Sequence, residues 1–242
     1  MDKSFFSEKN ITSAYKNLCK NRKKHPANSD IWHFRFHWPQ LLPQIINEVK
    51  SNNYRLKPMQ VVNKRDKTQV VVWSSQDAFV IHLLTLYLQT KLPVHKQCQH
   101  VKGHGGGKQS VRELSKTIPR YRFVCRTDIK GYYSNVKKNI LLQQIRQYID
   151  DPIVLDLISQ FIYYTVENGG LFHTPNKGIA RSSPLSPLLG AFHLYCIDEY
   201  FSDENIYPSN FKMLCSARRP WFSGAATIRR YSGSTLRIVN KV

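Results

Sequence analysis

The longest apolar stretch of the chain, residues 78–88, most constrains its fold because it is apolar on nearly every helical face. His82 interrupts the stretch, which is far shorter than the ~20 residues that a membrane span needs. The pattern therefore predicts a buried helix from Gln76 to Lys91. A chain of 242 residues, of which 41% are hydrophobic, can enclose such a helix in a globular core.

Helix-like and strand-like patterns alternate along the rest of the chain without a regular βαβ period, which predicts an α+β fold rather than a doubly wound sheet. Helical spacing of apolar residues predicts further helices over residues 5–20, 39–51, 110–116, 137–148, 153–164 and 187–200. Runs of β-prone residues predict strands at 61–62, 69–73 and 123–125, a turn at 64–67 and a hairpin around 168–170.

Positive charge dominates the composition. The chain carries 36 Lys and Arg residues against 16 Asp and Glu residues, a net charge of +20. Such an excess favours a polyanionic partner, because each phosphate that the protein neutralises releases condensed counterions. The alternative is a basic surface that binds no polyanion, since net charge says nothing about fold.

The cysteines and the N-terminus predict a cytoplasmic protein. Five cysteines form an odd set without the spacing of a disulfide framework, which favours a reducing compartment. Residues 1–24 are polar and charged throughout, unlike a secretory signal peptide.

Two segments near the N-terminus each have two interpretations. The basic cluster at residues 20–24 can bind phosphates or can form a solvated helix end. Residues 32–38 alternate aromatic and basic side chains. Such alternation can stack unpaired bases, but it is more typical of the inner face of a β-strand, and the strand is the prediction that we favour.

A glycine-rich loop at residues 102–108 contains Lys102 and Lys108. A nucleoside-triphosphate loop would need glycine in place of Lys102, and Ser or Thr after Lys108, where this chain has Gln109. The sequence fails that pattern. The exposed amides of the loop and its two lysines still predict a flexible segment that contacts phosphate.

Asp128 lies at the end of a strand-like apolar run, residues 123–125, and shortly before a glycine, in the string RTDIKGYYSNV. A carboxylate at a strand end can hold Mg2+ through one or two oxygens, and that ion usually also takes substrate phosphates as ligands. The alternative is an ordinary type I turn, which favours Asp first and Gly fourth. The aromatic pair Tyr132 and Tyr133, together with a second motif downstream, favours the functional interpretation.

The second motif, GIARSSPLSPLL, begins at Gly178. Ser186 is predicted to be the N-cap of the helix that follows, with Pro187 as its first residue. The small residues within 180–183 would allow close approach of a backbone or a base, and the amides of a helix start favour phosphate. The alternative is a well-capped core helix that binds nothing.

With both motifs in place, the chain resembles a bacterial reverse transcriptase of the retron and group II intron type. The first motif resembles the family's first catalytic box, and the second resembles its template- and nucleotide-positioning box. Looser matches to the family's fingers segments occur at residues 54–58, 72–78 and 100–108. The resemblance runs from the N-terminus to about Tyr207. It implies an RNA-directed DNA polymerase of a mobile element, a nucleotidyltransferase that uses an RNA template, a DNA primer, deoxynucleoside triphosphates and Mg2+.

The resemblance also implies a right-hand polymerase fold, with fingers and a partial palm that has a ferredoxin-like core, and without a thumb. We expect an N-terminal helical basic extension at residues 1–50 and fingers at 51–120. A partial palm that holds both motifs is expected at 121–207, followed by an atypical basic tail at 208–242.

The same resemblance implies roles for individual residues. Asp128 would be a metal-binding catalytic aspartate, with the Ile129 carbonyl as a second oxygen ligand. Tyr133 matches the family's steric gate, whose ring excludes a ribose 2′-hydroxyl and so favours deoxynucleotides. Template and primer would contact Gly178, Arg181, Ser182, Ser183, Pro184, Lys102 and Lys108, and the candidates that grip the incoming triphosphate are Lys64, Arg65 and Lys67.

The chain also departs from the family. Arg181 occupies the place where many members carry Gln, and Ser182 replaces a usual Gly. The family's Tyr-x-Asp-Asp hairpin, whose aspartates complete the metal site, is missing because residues 205–242 contain no Asp or Glu. With Asp128 alone, two Mg2+ ions would lack their shared ligands.

We therefore expect that this polypeptide alone does not polymerise. A reading-frame change near residue 207 would explain a truncated product, and a palm without its last strands would expose sheet edges that favour aggregation. The alternative is a divergent, non-catalytic RNA-binding module that acts with another chain.

Overall fold

The computed structural model describes residues 4–63, 68–96, 98, 101, 104–117, 123–126, 129–202, 211–214 and 226–229. These residues form a mixed α+β structure, as the sequence predicts. The chain divides into two compact units. Residues 1–93 and 131–193 form the first unit, and residues 94–130 and 194–242 form the second.

The helices and strands of the first unit follow the predicted order except at α2, where a strand was predicted, and α6, which was not predicted. Its helices are α1 (Glu8–Asn21), α2 (Asp30–Phe36), α3 (Trp38–Lys50), α4 (Ser75–Leu88), α6 (Tyr132–Asn135), α7 (Lys138–Ile145), α8 (Pro152–Ile162) and α9 (Leu185–His193). Its strands are β1 (Met59–Asn63), β2 (Gln69–Val72), β4 (Val166–Asn168) and β5 (Leu171–His173). The second unit contains α5 (Gly106–Thr117), β3 (Phe123–Arg126), α10 (Tyr195–Ser202), β6 (Phe211–Leu214) and β7 (Ala226–Arg229).

Helix α4 is the centre of the first unit, and its prediction as a buried helix is confirmed. Residues on all of its faces are buried, among them Phe79, Ile81 and Leu84. The helix packs against α1, α2, α8 and α9. No helix in the described ranges is both long and apolar enough to cross a membrane.

A four-stranded sheet with the order β2-β1-β4-β5 lies in the same unit. Strands β1 and β2 pair antiparallel with Gln60 opposite Val72, and β1 pairs parallel with β4 with Met59 opposite Val166. The predicted hairpin at 168–170 is confirmed as the β4–β5 turn. Trp73, which follows β2, stacks on Phe161 of α8 with ring centroids 5.9 Å apart.

The strand predicted at residues 32–38 is wrong, because residues 30–36 form helix α2. The residues that α2 buries are Ile31 and Phe34, which are three positions apart, whereas Phe36 is 80% exposed. A spacing of three places two residues on one helical face. The alternation of aromatic and basic residues therefore concealed a helical period, because not every aromatic residue in it is buried.

Arg22, within the basic cluster, has a structural role. Its guanidinium donates to Ser75 Oγ at 2.7 Å and to the Trp73 carbonyl at 2.7 Å, and it pairs with Asp30 at 3.3 Å. The Asp30 carboxylate also accepts from the Ser75 amide at the start of α4. Burial lowers the pKa of Arg22, and the nearby carboxylates oppose that shift. The other cations of the cluster, Lys20, Lys23 and Lys24, are exposed.

The second unit contains a three-stranded antiparallel sheet with the order β3-β7-β6. Residues 208–242, which show no clean helix or strand period, supply two of these strands. Val124 of β3 lies opposite Ile228 of β7, and Ile228 lies opposite Lys212 of β6. Main-chain hydrogen bonds form such a ladder without needing a regular alternation of side chains.

The single helix predicted over 187–200 is also corrected. The structure has two helices here, because α9 ends at His193 and α10 begins at Tyr195. Within α10, Asp198 is only 3% exposed, and its Oδ2 has no hydrogen-bond partner among the described residues. This burial raises the pKa of Asp198 to about 6.

The buried carboxyl should make stability depend on pH. Because the folded-state pKa of about 6 exceeds the unfolded value of ~3.9, the folded state binds more protons between these pH values. The free energy of unfolding should therefore fall as pH rises through this window. We expect Asp198→Asn to remove that fall, so that the variant is more stable than the wild type at pH ~7 and loses this advantage near pH ~4. Urea unfolding across this range measures the effect, and Asp150→Asn, at an exposed carboxylate, is the control. Equal pH slopes for the wild type and Asp198→Asn would contradict the prediction.

Candidate functional site

Backbone hydrogen bonds bring the two sequence motifs together. The amide of Gly178 donates to the Val136 carbonyl at 2.8 Å, and the amide of Ile179 donates to the Tyr133 carbonyl at 2.8 Å. The loop that precedes α9 is thereby held against the carboxyl end of α6. Because these bonds join main-chain atoms, they fix the loop relative to Tyr133 independently of most side chains.

Two independent features of the structure favour glycine at position 178. Its φ of +87° is rarely adopted by residues with a side chain. A Cβ at this position would also lie 2.8 Å from the carbonyl oxygens of Tyr133 and Ser134. The close approach of the two motifs therefore requires the absence of a side chain here.

Helix α6 begins at another left-handed glycine and presents its two tyrosines to α9. Gly131 has φ +62°, and its carbonyl accepts from the amides of Ser134 and Asn135. Tyr132 donates from its hydroxyl to the Gly190 carbonyl at 2.8 Å. A Cβ at Gly190 would lie 3.1 Å from the Tyr133 ring and 3.3 Å from the Tyr132 ring. The small residue in α9 thus lets both rings pack directly against the helix.

The exposed edge of this loop is polar and positively charged. Arg181 Nη2 donates to Ser134 Oγ at 3.1 Å, which links the loop to α6 through side chains as well. Arg181, Ser182 and Pro184 are exposed, so these three predicted site residues are accessible to a ligand. Ser183 is buried, and its hydroxyl accepts from the Leu185 amide at 3.0 Å.

Ser186 is not the N-cap that the sequence predicts. Helix α9 already begins at Leu185, and the buried Ser186 hydroxyl donates back to the Ala180 carbonyl. The side chain that bonds to an amide of the first turn is that of Ser183, two residues before Leu185. The string Ser-Ser-Pro-Leu-Ser-Pro offers several serines, and the sequence alone does not distinguish among their hydroxyls.

A buried cation that sequence reasoning missed lies in the same unit. Lys138 is 3% exposed, and its Nζ lies 5.4 Å from the Tyr163 ring centroid and 4.9 Å from that of Tyr164. Burial lowers the pKa of Lys138. Burial also raises the pKa of Tyr164, while the positive charge of Arg181 opposes that shift. A helical spacing of buried residues in α7, Lys138, Leu141, Leu142 and Ile145, was the signal that could have identified this lysine.

His193 is a second functional candidate that the sequence did not indicate. Its Nδ1 lies 2.6 Å from Gln144 Oε1, and its ring stacks on Tyr132 with centroids 6.4 Å apart. Burial lowers the pKa of His193, which favours the neutral imidazole at neutral pH. The ring of His193 therefore lies as an uncharged neighbour between Gln144 and Tyr132.

Two of the loosely matching segments, residues 54–58 and 72–78, also meet. The buried Asp77 carboxylate accepts from the Tyr54 hydroxyl at 2.9 Å, from the Ser74 hydroxyl at 2.6 Å and from the Lys57 amide at 3.3 Å. Burial raises the pKa of both Asp77 and Tyr54. This polar junction joins the strand β1 region to the start of α4.

Some of the remaining predicted site residues lie outside the described residues, and others lie within them. Asp128, Lys64, Arg65, Lys67 and Lys102 lie outside the described residues. Ile129 is described and 49% exposed. Lys108 is exposed, but it lies in the first turn of α5 rather than in a flexible loop, because that helix already begins at Gly106. Across the described ranges, no group of three His, Cys, Asp or Glu side chains is arranged to hold a metal ion.

Comparisons with known sequences give two distant matches. The COX1/OXI3 intron 1 protein of Saccharomyces cerevisiae is 21% identical over 177 residues, a match that covers 69% of this chain and 21% of that protein. Protein YkfC of Escherichia coli is 23% identical over 172 residues and covers 68% of this chain and 42% of that protein. The chain thus spans less than half the length of each of these proteins. No protein-family model matches the sequence.

Solved structures give a match in fold. Chains from two reverse-transcriptase-containing assemblies, a partial Cas6-RT-Cas1–Cas2 complex and a Cas6-RT-Cas1–Cas2 complex, each align with a TM-score of 0.54 at 18% sequence identity. Each alignment covers 94% of this chain, and it covers 38% and 23% of the respective chains in those complexes. At this level of identity the likeness is one of fold.

The close approach at Gly178 can be tested by comparing two glycines with the same φ of +87°. A Cβ at Gly178 would meet two carbonyl oxygens, whereas a Cβ at Gly170, in the β4–β5 turn, has nothing within 4 Å. Both alanine variants suffer backbone strain, but only Gly178→Ala should also displace the loop from α6. We expect Gly178→Ala to lower the free energy of unfolding by about 2 kcal/mol more than Gly170→Ala, as measured by urea unfolding. Equal losses would show that the contact with α6 contributes nothing.

Proposed function

We propose that the chain is the substrate-binding part of an RNA-directed DNA polymerase, with the first motif beside the incoming nucleotide and the second beside the template. The observation that carries this proposal is the pair of hydrogen bonds that holds the Gly178 loop against the end of α6. A polymerase has to position a nucleotide and a template base within a fraction of an ångström, and a main-chain contact supplies the required rigidity. The likeness in fold to reverse-transcriptase-containing complexes supports the same conclusion.

Within this proposal, Tyr133 acts as the steric gate. Its ring packs against Gly190 and lies beside Tyr132, with the two ring centroids 5.3 Å apart. A ring supported on these sides cannot easily turn away from a bulky sugar substituent. Tyr133 would therefore reject a ribose 2′-hydroxyl by steric exclusion.

Within this proposal, the exposed edge of the Gly178 loop binds the template. Arg181 holds its guanidinium against Ser134, and both side chains are exposed. A guanidinium in this position can bind a template phosphate or stack on a base. In the family's terms, residues 51–120 would be the fingers and residues 121–207 a partial palm.

The residues present do not fit a complete two-ion magnesium site. Asp128 would supply one carboxylate ligand and Ile129 a carbonyl oxygen, whereas residues 205–242 contain no Asp or Glu. Two Mg2+ ions in such a site need shared carboxylate ligands. We therefore assign this chain substrate binding and orientation, and we propose that its 242 residues do not polymerise by themselves.

A second candidate function is an RNA-binding module that acts with another chain. The net charge of +20 and the absence of acids after Glu204 favour it. The two candidates differ in whether the chain distinguishes nucleotides. A polymerase-derived site should prefer deoxynucleotides, whereas a pure RNA-binding module should show no such preference.

Primer extension on an RNA template with Mg2+ or Mn2+ tests the catalytic part of the proposal. We expect no incorporation by the wild-type chain, because the metal ligands are incomplete. Asp128→Ala is the control. Incorporation that this substitution abolishes would contradict the expected inactivity and would establish a polymerase. Incorporation that survives Asp128→Ala would indicate a contaminating enzyme, and the preparation would be repurified and retested.

Nucleotide discrimination tests the binding part independently of catalysis. With primer and RNA template present, the wild type should bind dUTP more tightly than UTP, which differs from it at the 2′ position alone, by about tenfold, the scale of a small steric difference in a pocket. Tyr133→Ala should remove most of this preference by weakening the rejection of UTP. Tyr132→Phe, which loses only the hydrogen bond to Gly190, should retain it. Equal affinities of the wild type for dUTP and UTP, with salt-dependent RNA binding, would favour the RNA-binding module.

A further inference from the structure

Helix α2 carries exposed aromatic side chains that the proposed polymerase site does not use. Phe36 is 80% exposed at the end of the helix, and its ring lies edge-on to His37 with centroids 4.9 Å apart. The His37 ring in turn lies 4.2 Å from that of His33, one turn earlier. The guanidinium carbon of Arg35 lies 5.2 Å from the centroid of the Trp32 ring. These five residues lie within one short segment, residues 32–37, and we call them together the α2 platform.

The α2 platform adjoins the exposed part of the basic cluster. The Trp32 indole donates to the Pro26 carbonyl at 2.9 Å, so the segment that follows the cluster lies against the start of α2. Lys23 and Lys24 are exposed immediately before this segment. Asp30, the one acid between residues 20 and 37, is paired with Arg22. Its charge is therefore largely neutralised, and the surface is positive.

We propose that the α2 platform binds single-stranded RNA, with an unpaired base stacked on Phe36 and phosphates held by Lys23, Lys24 and Arg35. Aromatic rings beside cations are the combination by which proteins bind unpaired nucleic acid, since every base has a π-face and every linkage a phosphate. This contact uses residues other than Tyr133 and Arg181, and it stands whether or not the chain polymerises.

The composition of the platform favours RNA over a protein partner. A protein contact would bury an apolar core that is depleted of charge. Here the exposed ring of Phe36 is surrounded by His33, Arg35 and His37, and the adjoining segment adds lysines. The apolar residues of α2 that could form such a core, Ile31 and Phe34, are already buried within the unit. Charge complementarity therefore points to a polyanion with exposed bases.

Fluorescence anisotropy with a labelled single-stranded RNA of about 10 nucleotides tests the stacking step. No primer or nucleotide is present, so the result is independent of catalysis. Phe36→Ala and Phe36→Leu should each raise the Kd about fivefold or more, because they remove the π-face, while Phe36→Trp should retain binding. Phe172→Ala removes a ring that is 66% exposed on β5, away from the basic cluster in sequence, and should leave the Kd unchanged.

Duplex RNA and the salt dependence of binding distinguish the stacking contact of Phe36 from the phosphate contacts of Lys23 and Lys24. Binding to the same RNA in a duplex should be insensitive to Phe36→Ala, since paired bases are not free to stack on the ring. Replacing Lys23 and Lys24 together by Gln should reduce the slope of log Kd against log salt by up to about 2, whereas Phe36→Ala should leave the slope unchanged.

Three results would overturn the proposal. One is an unchanged Kd for Phe36→Ala. Another is that Phe36→Ala weakens binding to single-stranded and to duplex RNA equally. The third is that Phe172→Ala weakens binding to single-stranded RNA as much as Phe36→Ala does. If Phe36→Ala left RNA binding intact but altered self-association in sedimentation velocity, the platform would be a protein contact. Because Phe36 is so exposed, thermal unfolding should show that its variants fold like the wild type.

Discussion

The burial of α4 is the constraint on which the rest of the first unit depends. A helix that is apolar on every face has to be enclosed, and here α1, α2, α8 and α9 enclose it. Its amino-terminal end cannot be enclosed by apolar groups, because its first amides need acceptors. The Ser74 hydroxyl accepts from the Asp77 amide, and the Asp30 carboxylate accepts from the Ser75 amide. Asp30 then pairs with Arg22, and Asp77 with Tyr54. The end of one helix thus joins the N-terminal helices and the first strand to the core.

The candidate site depends on α4 through α9. Because α9 packs against α4, its Gly190 is held at a fixed position, and the two tyrosines of α6 pack onto it. The end of α6 then accepts the amide of Ile179, and Val136 accepts that of Gly178. Gly178 beside the carbonyls has to lack a side chain, and Gly190 beneath the rings lets the tyrosines pack more closely than a Cβ would allow. Precision at the site therefore comes from glycines in the supporting structure as much as from the side chains that face a ligand.

Sequence patterns predicted the helices and turns in which residue type follows the burial of the side chains. The apolar run of α4 and the Asn168–Gly170 turn were recognised because hydrophobicity and turn residues report directly on local structure. The strand prediction for α2 was wrong because it treated every aromatic residue as buried. Phe36 is aromatic but exposed. The role of Ser186 was missed because the choice of hydroxyl depends on where Ala180 lies in the folded loop. The sequence identified both motifs, but the hydrogen bonds between them depend on backbone positions that no residue type encodes.

Substrate binding and metal-dependent catalysis depend on different groups in a site of this kind. The contacts that position the Gly178 loop are made by main-chain atoms of residues 133–136 and 178–179, and none of them involves a carboxylate. A metal site, in contrast, depends on aspartate side chains, so the loss of carboxylates removes the chemistry while leaving these hydrogen bonds intact. A positive surface adds affinity for a polyanion by counterion release, which likewise needs no metal. In a chain with a net charge of +20, affinity for a polyanion therefore does not depend on metal ligands. For this physical reason, nucleotide discrimination rather than incorporation distinguishes the two proposed functions.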